Sequence, residues 1–111
     1  MRSFSYRAPR YSVDIPVRVT QGGASRLGRC TEISTDGMKV AACPFVPNSS
    51  GSIQIDHEEL SLELPFRTVY SALNMGAVEF TLESEEQKQA VDQLILLVSA
   101  PRPCRSMVLV R

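Results

Sequence analysis

The feature that most constrains this chain is a set of short runs in which apolar and polar residues alternate with a period of two. That period fits extended backbone with one buried face, and it does not fit a helix. The first run places Val13, Ile15, Val17 and Val19 on one face, with Asp14, Pro16 and Arg18 on the other. Ile53 and Ile55 form a second run, Leu60, Leu62, Leu64 and Phe66 a third, and Val78, Phe80 and Leu82 a fourth. Turn signals fall between them. Gln21 to Ser25 contains Gly22-Gly23, so Leu27 to Ile33 reads as a returning strand. Ser34 to Gly37 reads as a tight turn in which Asp36 and Gly37 supply left-handed geometry. Met38 and Val40 open the next strand, and Pro44 to Gly51 is a loop. Asp56-His57-Glu58-Glu59 is a polar hairpin tip expected to face water. Val69 to Leu73 continues the third run or adds a strand, and Asn74-Met75-Gly76 breaks it. Pro16 has no N–H to donate, which places it at an edge or a bulge.

Ser84-Glu85-Glu86-Gln87 has the spacing of a capping box, and Val91, Leu94, Ile95 and Val98 share one helical face, so a terminal helix packs on the sheet. Pro101 and Pro103 stop it. About six short strands and one C-terminal helix describe a mostly β chain, a small antiparallel barrel or sandwich. A length of 111 residues suits one domain. It divides into a flexible N-terminal arginine arm over 1–10, the β domain with its helix over 11–100, and a tail over 101–111. In that tail Met107 to Val110 is apolar enough to add an edge strand or meet a partner.

Composition removes several classes of function. With 43% hydrophobic and 22% charged residues, the chain is globular rather than disordered. Its longest apolar run, Leu94 to Val98, falls far short of the roughly 20 residues a membrane span needs. Met1 to Arg7 lacks the apolar segment of a secretory signal. No membrane insertion and a cytoplasmic location are therefore expected. Cys30, Cys43 and Cys104 have no CxxC spacing, and His57 does not complete a zinc set with them, so reduced, structural thiols and no metal or cofactor are expected. Neither GxxxxGK[ST] nor GxGxxG occurs, and no nucleophile stands with a base, so nothing supports an enzyme.

The formal net charge of zero conceals an asymmetry. Residues 1–31 carry six arginines against Asp14 alone, whereas residues 32–111 carry six basic and eleven acidic groups. The basic third holds no lysine, and arginine's planar fork suits phosphate and the Hoogsteen edge of guanine. The alternative is that these arginines are solvated on strand faces.

Arg7 and Arg10 lie in an arm just ahead of the first strand, and Glu32-Ile33-Ser34-Thr35-Asp36-Gly37 follows the second. In this order the pair resembles the two motifs of the PilZ domain family, RxxxR and [DN]xSxxG. Tyr11 to Val17 is similar to that family's first strand, and Gly76 to Phe80 with the capped helix is similar to its last strand and helix. The resemblance spans roughly residues 7 to 98 and implies a six-stranded antiparallel β-barrel with one C-terminal helix. It also implies a receptor for the bacterial second messenger cyclic di-GMP, in which the arginines grip phosphates and guanines. Carried over, Arg10 matches the second arginine, Ser34 the serine and Gly37 the glycine. Arg7 stands three residues before Arg10 instead of four, and Glu32 replaces Asp or Asn.

The expected ligand-binding set is therefore Arg7, Arg10, Glu32, Ser34, Asp36 and Gly37, with no catalytic or metal residue. Ligand binding would order the arm against the turn and signal to a protein partner in motility, pilus or polysaccharide machinery. The chain would act as a monomer or weak dimer that does not contact DNA. The alternative is a degenerate adaptor that binds no nucleotide and works through protein contacts. Nonspecific nucleic-acid binding through the basic third would instead show affinity falling steeply with salt.

Overall fold

Gly22 and Gly23 both take positive φ, 58° and 82°, the paired left-handed geometry of a type I′ hairpin turn. They join two long strands, β1 (Tyr11–Gln21) and β2 (Ala24–Ile33), in a computed structural model that describes residues 8–58 and 60–99. Then follow β3 (Gly37–Ala41), β4 (Ser50–His57), β5 (Leu60–Ala72), β6 (Met75–Phe80) and the helix α1 (Glu85–Ser99). Every neighbouring pair is antiparallel in the order β1-β2-β3-β6-β5-β4, and β4 closes onto β1. Of the two expected arrangements it is the barrel that forms, and closure leaves no free sheet edge.

The alternation sorts side chains as expected. Ile15, Val17 and Val19 of β1 point inward with Ile53 and Ile55 of β4, Leu62, Leu64 and Phe66 of β5, and Val78 and Phe80 of β6. Phe66 is fully buried and meets Phe45 edge-on, with ring centroids 6.0 Å apart. Helix α1 packs on β1 and β5, and its Val91 and Leu94 join the same core while Ile95 and Val98 cover its margin. Its start is capped from both sides. Gln87 N donates to Ser84 Oγ at 3.2 Å, and the Gln87 side chain accepts from Glu83 N at 2.6 Å, a reciprocal cap displaced by one residue from the usual box.

Several boundaries differ from the expected ones, each for a local reason. Pro16 is inside β1 and in register with Arg29 of β2, past the register shift between Ser12 and Ile15 and just before the ladder to β4 begins at Val17, so it is at neither an edge nor the bulge itself. Val69 to Leu73 is no separate strand, because β5 runs on to Ala72. Met75 and Gly76 do not break the sheet; they are already in β6. Gly76 is there because the Phe45 ring occupies the space a Cβ would fill. Leu82 lies beyond β6 but still packs on the core. The loop between β3 and β4 is held by one buried amide: Gln21 accepts from Val46 N at 2.9 Å and donates to Thr68 Oγ1 at 3.1 Å.

His57 does not simply face water. Its side chain is only 20% exposed, and Nε2 is buried, 3.9 Å from Glu58 Oε2, with no hydrogen-bond partner among the described residues. The left-handed φ of Glu58 at 56° turns the chain there. Cys30 and Cys43 are buried free thiols, while Cys104 and the tail lie outside the described residues.

Phe66→Ala is expected to destabilise the barrel by about 3–5 kcal/mol, read as a lowered urea midpoint. Burial pushes the Cys30 thiol up to about 12 from an ordinary value of 9.0, so in the folded chain it stays protonated and unreactive at pH 8. Iodoacetamide is expected to modify Cys30 there only after unfolding. Because the folded-state value is the higher one, this group's contribution to stability is intact below pH 9 and is lost as pH rises toward 12.

Candidate functional site

Two β-bulges shape the outer wall beside the Ser34 turn. In β2 the inward positions are Gly28 and Cys30, and strict alternation would send Glu32 into the core. A register shift between Cys30 and Glu32 inserts Thr31 as an extra residue, so Ile33 turns inward and Glu32 outward. In β5 a second shift between Thr68 and Tyr70 leaves Val69 unpaired, and it is exposed beside Tyr70. Bulges re-aim side chains in this way near functional sites. Register then carries one outward row across the barrel, from Ser12 through Glu32, Lys39 and Ala77 to Tyr70.

The middle of this row, Glu32, Lys39 and Ala77, lines a cleft of about 360 Å³, at the lower end of the range for small-molecule sites. Five of the six expected site residues line it: Arg10, Glu32, Ser34, Asp36 and Gly37. The sixth, Arg7, lies outside the described residues. Arg10 donates from Nη1 to Glu32 Oε1 at 3.3 Å, and Lys39 Nζ is 3.7 Å from the same oxygen. These side chains are 44%, 30% and 45% exposed for Arg10, Glu32 and Lys39, so each pair contributes at most about 1 kcal/mol. Arg29 is engaged elsewhere, with Asp14 at 2.5 Å, and that hydrogen bond draws the Asp14 carboxyl below its usual range.

The turn itself is rigid, and its glycine works differently from expectation. Ser34 N donates to Gly37 O at 2.9 Å, Ser34 Oγ accepts from Asp36 N at 3.1 Å, and Phe80 N donates to Asp36 O at 2.8 Å. Neither Asp36 nor Gly37 has positive φ, so left-handed geometry is not what the turn needs. Gly37 is required because β3 and β6 approach so closely that a Cβ would run into the Val78 carbonyl oxygen. The Ser34 hydroxyl oxygen accepts within the turn, and the exposed Asp36 carboxylate stands at the cleft's rim.

Sequence reasoning missed Lys39, Val69, Ala77 and Glu79, which also line the cleft. Lys39 had a readable signal: it alternates with the inward Met38 and Val40 one strand from Glu32. Val69 had none, since only the bulge exposes it to the cleft. Among the described residues no group of three or more His, Cys, Asp or Glu side chains is placed to hold a metal, and no helix is long and apolar enough to cross a membrane.

Residues 5–97 match the family model described as the PilZ domain. Among solved structures, the chain is similar to the PilZ domain of CeSA from a cellulose-synthesizing bacterium, with a TM-score of 0.76 at 20% identity over 84% of this chain and 100% of that one. It is similar to the Bacillus subtilis inhibitor of motility MotI/DgrA, with a TM-score of 0.63 at 15% identity over 100% of this chain and 56% of that one. It is also similar to the Borreliella burgdorferi PlzA protein in complex with c-di-GMP, with a TM-score of 0.52 at 18% identity over 87% of this chain and 55% of that one. The chain thus spans little more than half the length of the latter two, and at these identities the likeness is one of fold. Nothing matches among curated protein sequences.

Gly37→Ala is expected to cost roughly 2 kcal/mol or more through the clash with Val78, seen as a lowered thermal midpoint and as loss of amide protection at Phe80.

Proposed function

Because the chain belongs to the PilZ domain family, we propose that it is a non-catalytic receptor domain for cyclic di-GMP, acting in the cytoplasm. The observation that carries this reading is the meeting of the two motifs at one cleft, where Arg10 reaches Glu32 across 22 residues of sequence. An arginine fork at the mouth suits a phosphodiester, and Glu32 and Asp36 offer acceptors for the N–H edge of guanine. The Ser34 to Gly37 turn holds that wall in place before any ligand arrives, which lowers the cost of binding. Arg7, in the same arm, would add a second fork once the ligand draws the arm onto the turn. The ordered arm then presents a new surface to a protein partner in motility, pilus or polysaccharide machinery. The PlzA complex with c-di-GMP supports the ligand class.

One observation favours the adaptor reading instead: Arg10 already has an anionic partner in Glu32, so its guanidinium is engaged before any ligand arrives. On that reading the chain works through apolar surface such as Leu96, which is 68% exposed on α1.

Isothermal titration of the full chain with cyclic di-GMP separates the two. The receptor reading expects binding heat that Arg10→Ala weakens by about tenfold or more, the size of a hydrogen bond to a charged group. An amide NMR titration is expected to shift Arg10, Tyr11 and the Glu32 to Gly37 segment. A folded protein that gives no heat at high-micromolar ligand would sink the receptor reading in favour of the adaptor.

A further inference from the structure

Two cations, not one, face the Glu32 carboxylate. Arg10 Nη1 and Lys39 Nζ approach the same oxygen, Oε1, at 3.3 Å and 3.7 Å. Lys39 is the register partner of Glu32 on one side and of Ala77 on the other, so its stem rises from the middle of the cleft wall. Both cations remain close to half exposed, and a ligand entering from solvent can reach them. An acceptor oxygen held between a guanidinium and an ammonium occupies the position that a phosphate oxygen would take. Glu32 thereby marks, with its own charge, a two-cation seat in the free chain.

Resting on the receptor reading above, we propose that Lys39 is a second phosphate-gripping residue of this cleft, parked on Glu32 until a nucleotide phosphodiester replaces the carboxylate. The exchange keeps each cation beside an anionic oxygen. Arg10 and Lys39 move from the carboxylate to the phosphodiester, and the released Glu32 oxygens become free to accept guanine N–H groups. Neither departure takes the cations out of water, so the weak exposed pairs are cheap to break. Beyond Lys39 the row turns apolar at Ala77, with the bulged Val69 beside it, which leaves that end of the cleft to the face of a base. The seat also supplies a cation from the barrel wall itself, in a chain whose first motif is one residue short. Since an ammonium acts as a compact point charge, what the seat needs from Lys39 is charge at that position.

Titration calorimetry with cyclic di-GMP on the full chain tests this, using Lys39→Met, Lys39→Arg and, on the far surface of α1, Lys88→Met. Lys39→Met is expected to weaken binding at least about fivefold, Lys39→Arg to stay within about twofold, and Lys88→Met to match the unmodified chain. A purely supporting role, in which Lys39 only steadies Glu32, is separated by Glu32→Gln. That variant is expected to weaken binding by removing one acceptor for guanine, and Lys39→Met is expected to cost the same factor in its background as in the unmodified chain. Binding in Lys39→Met equal to the unmodified chain overturns the inference while leaving the receptor reading intact. So does a Lys39→Met substitution that costs nothing further in the Glu32→Gln background, which would mean that Lys39 acts only through the carboxylate. No heat from the unmodified chain overturns the receptor reading and this inference together.

Discussion

The approach of β3 to β6 at Gly37 and Val78 positions everything else at the cleft. A glycine there lets the two backbones come together, and Phe80 N, reaching Asp36 O at 2.8 Å, pins the outgoing end of the turn to the same strand. Ser34 then closes the loop on itself through its own N–H and hydroxyl. A turn held at both ends cannot drift, so Glu32 and Lys39, one bulge and one strand away, stand at fixed places on the outer wall. The ladder from β2 through β3 to β6 is thus a structural device and a site-building device at once. A larger side chain at position 37 would open the barrel and spread the cleft together.

The architecture was largely legible because the barrel obeys a simple rule, period two with the apolar face inward. Val13 to Val19, Leu60 to Phe66 and Val78 to Phe80 all follow it, and the paired positive φ of Gly22-Gly23 is the plain consequence of a two-residue hairpin. What sequence periodicity could not show is where the phase changes. Thr31 and Val69 are ordinary strand residues, yet each is the extra residue of a bulge, and each reverses which neighbours point outward. Period-two reasoning assumes constant phase, so it carries no information about such positions. The same limit explains Gly76, read as a breaker when its purpose is to make room for the ring of Phe45, a residue 31 positions away in sequence.

The site divides along the same line. Arg10, Ser34 and Gly37 could be singled out because they stand in a motif order, and all three line the cleft. Their physical duties were only partly visible. Ser34 accepts through its hydroxyl within the turn and Gly37 serves interstrand approach, so both build the wall, whereas Arg10 and Glu32 present charge to the opening. Lys39 falls outside both motifs and becomes significant only when the Glu32↔Lys39 register places it against the same carboxylate oxygen. Its signal was distributed between alternation in β3 and pairing with β2, and only the second of these is tertiary.

Exposure decides what such a cluster is good for. Had Glu32 and Arg10 been paired in the core, removing one partner would cost on the order of 3–5 kcal/mol, and no dissolved dinucleotide would readily compete for the guanidinium. At roughly a third to a half exposed, the pairs are worth at most about 1 kcal/mol each. They therefore hold the cations near their working positions without binding them tightly, which spares part of the side-chain entropy that a free lysine and arginine would lose on capturing a phosphate. A cleft whose cations already face a carboxylate is also less attractive to indiscriminate anions, because any competitor must first displace that carboxylate. A ligand that brings both a phosphate for the cations and N–H donors for the released carboxylate satisfies every group it displaces. An inorganic anion satisfies only the cations and leaves Glu32 unpaired beside added negative charge. On the receptor reading, the internal ion pairs would favour a guanine nucleotide over a bare phosphate, through what each leaves behind as much as through what each contacts.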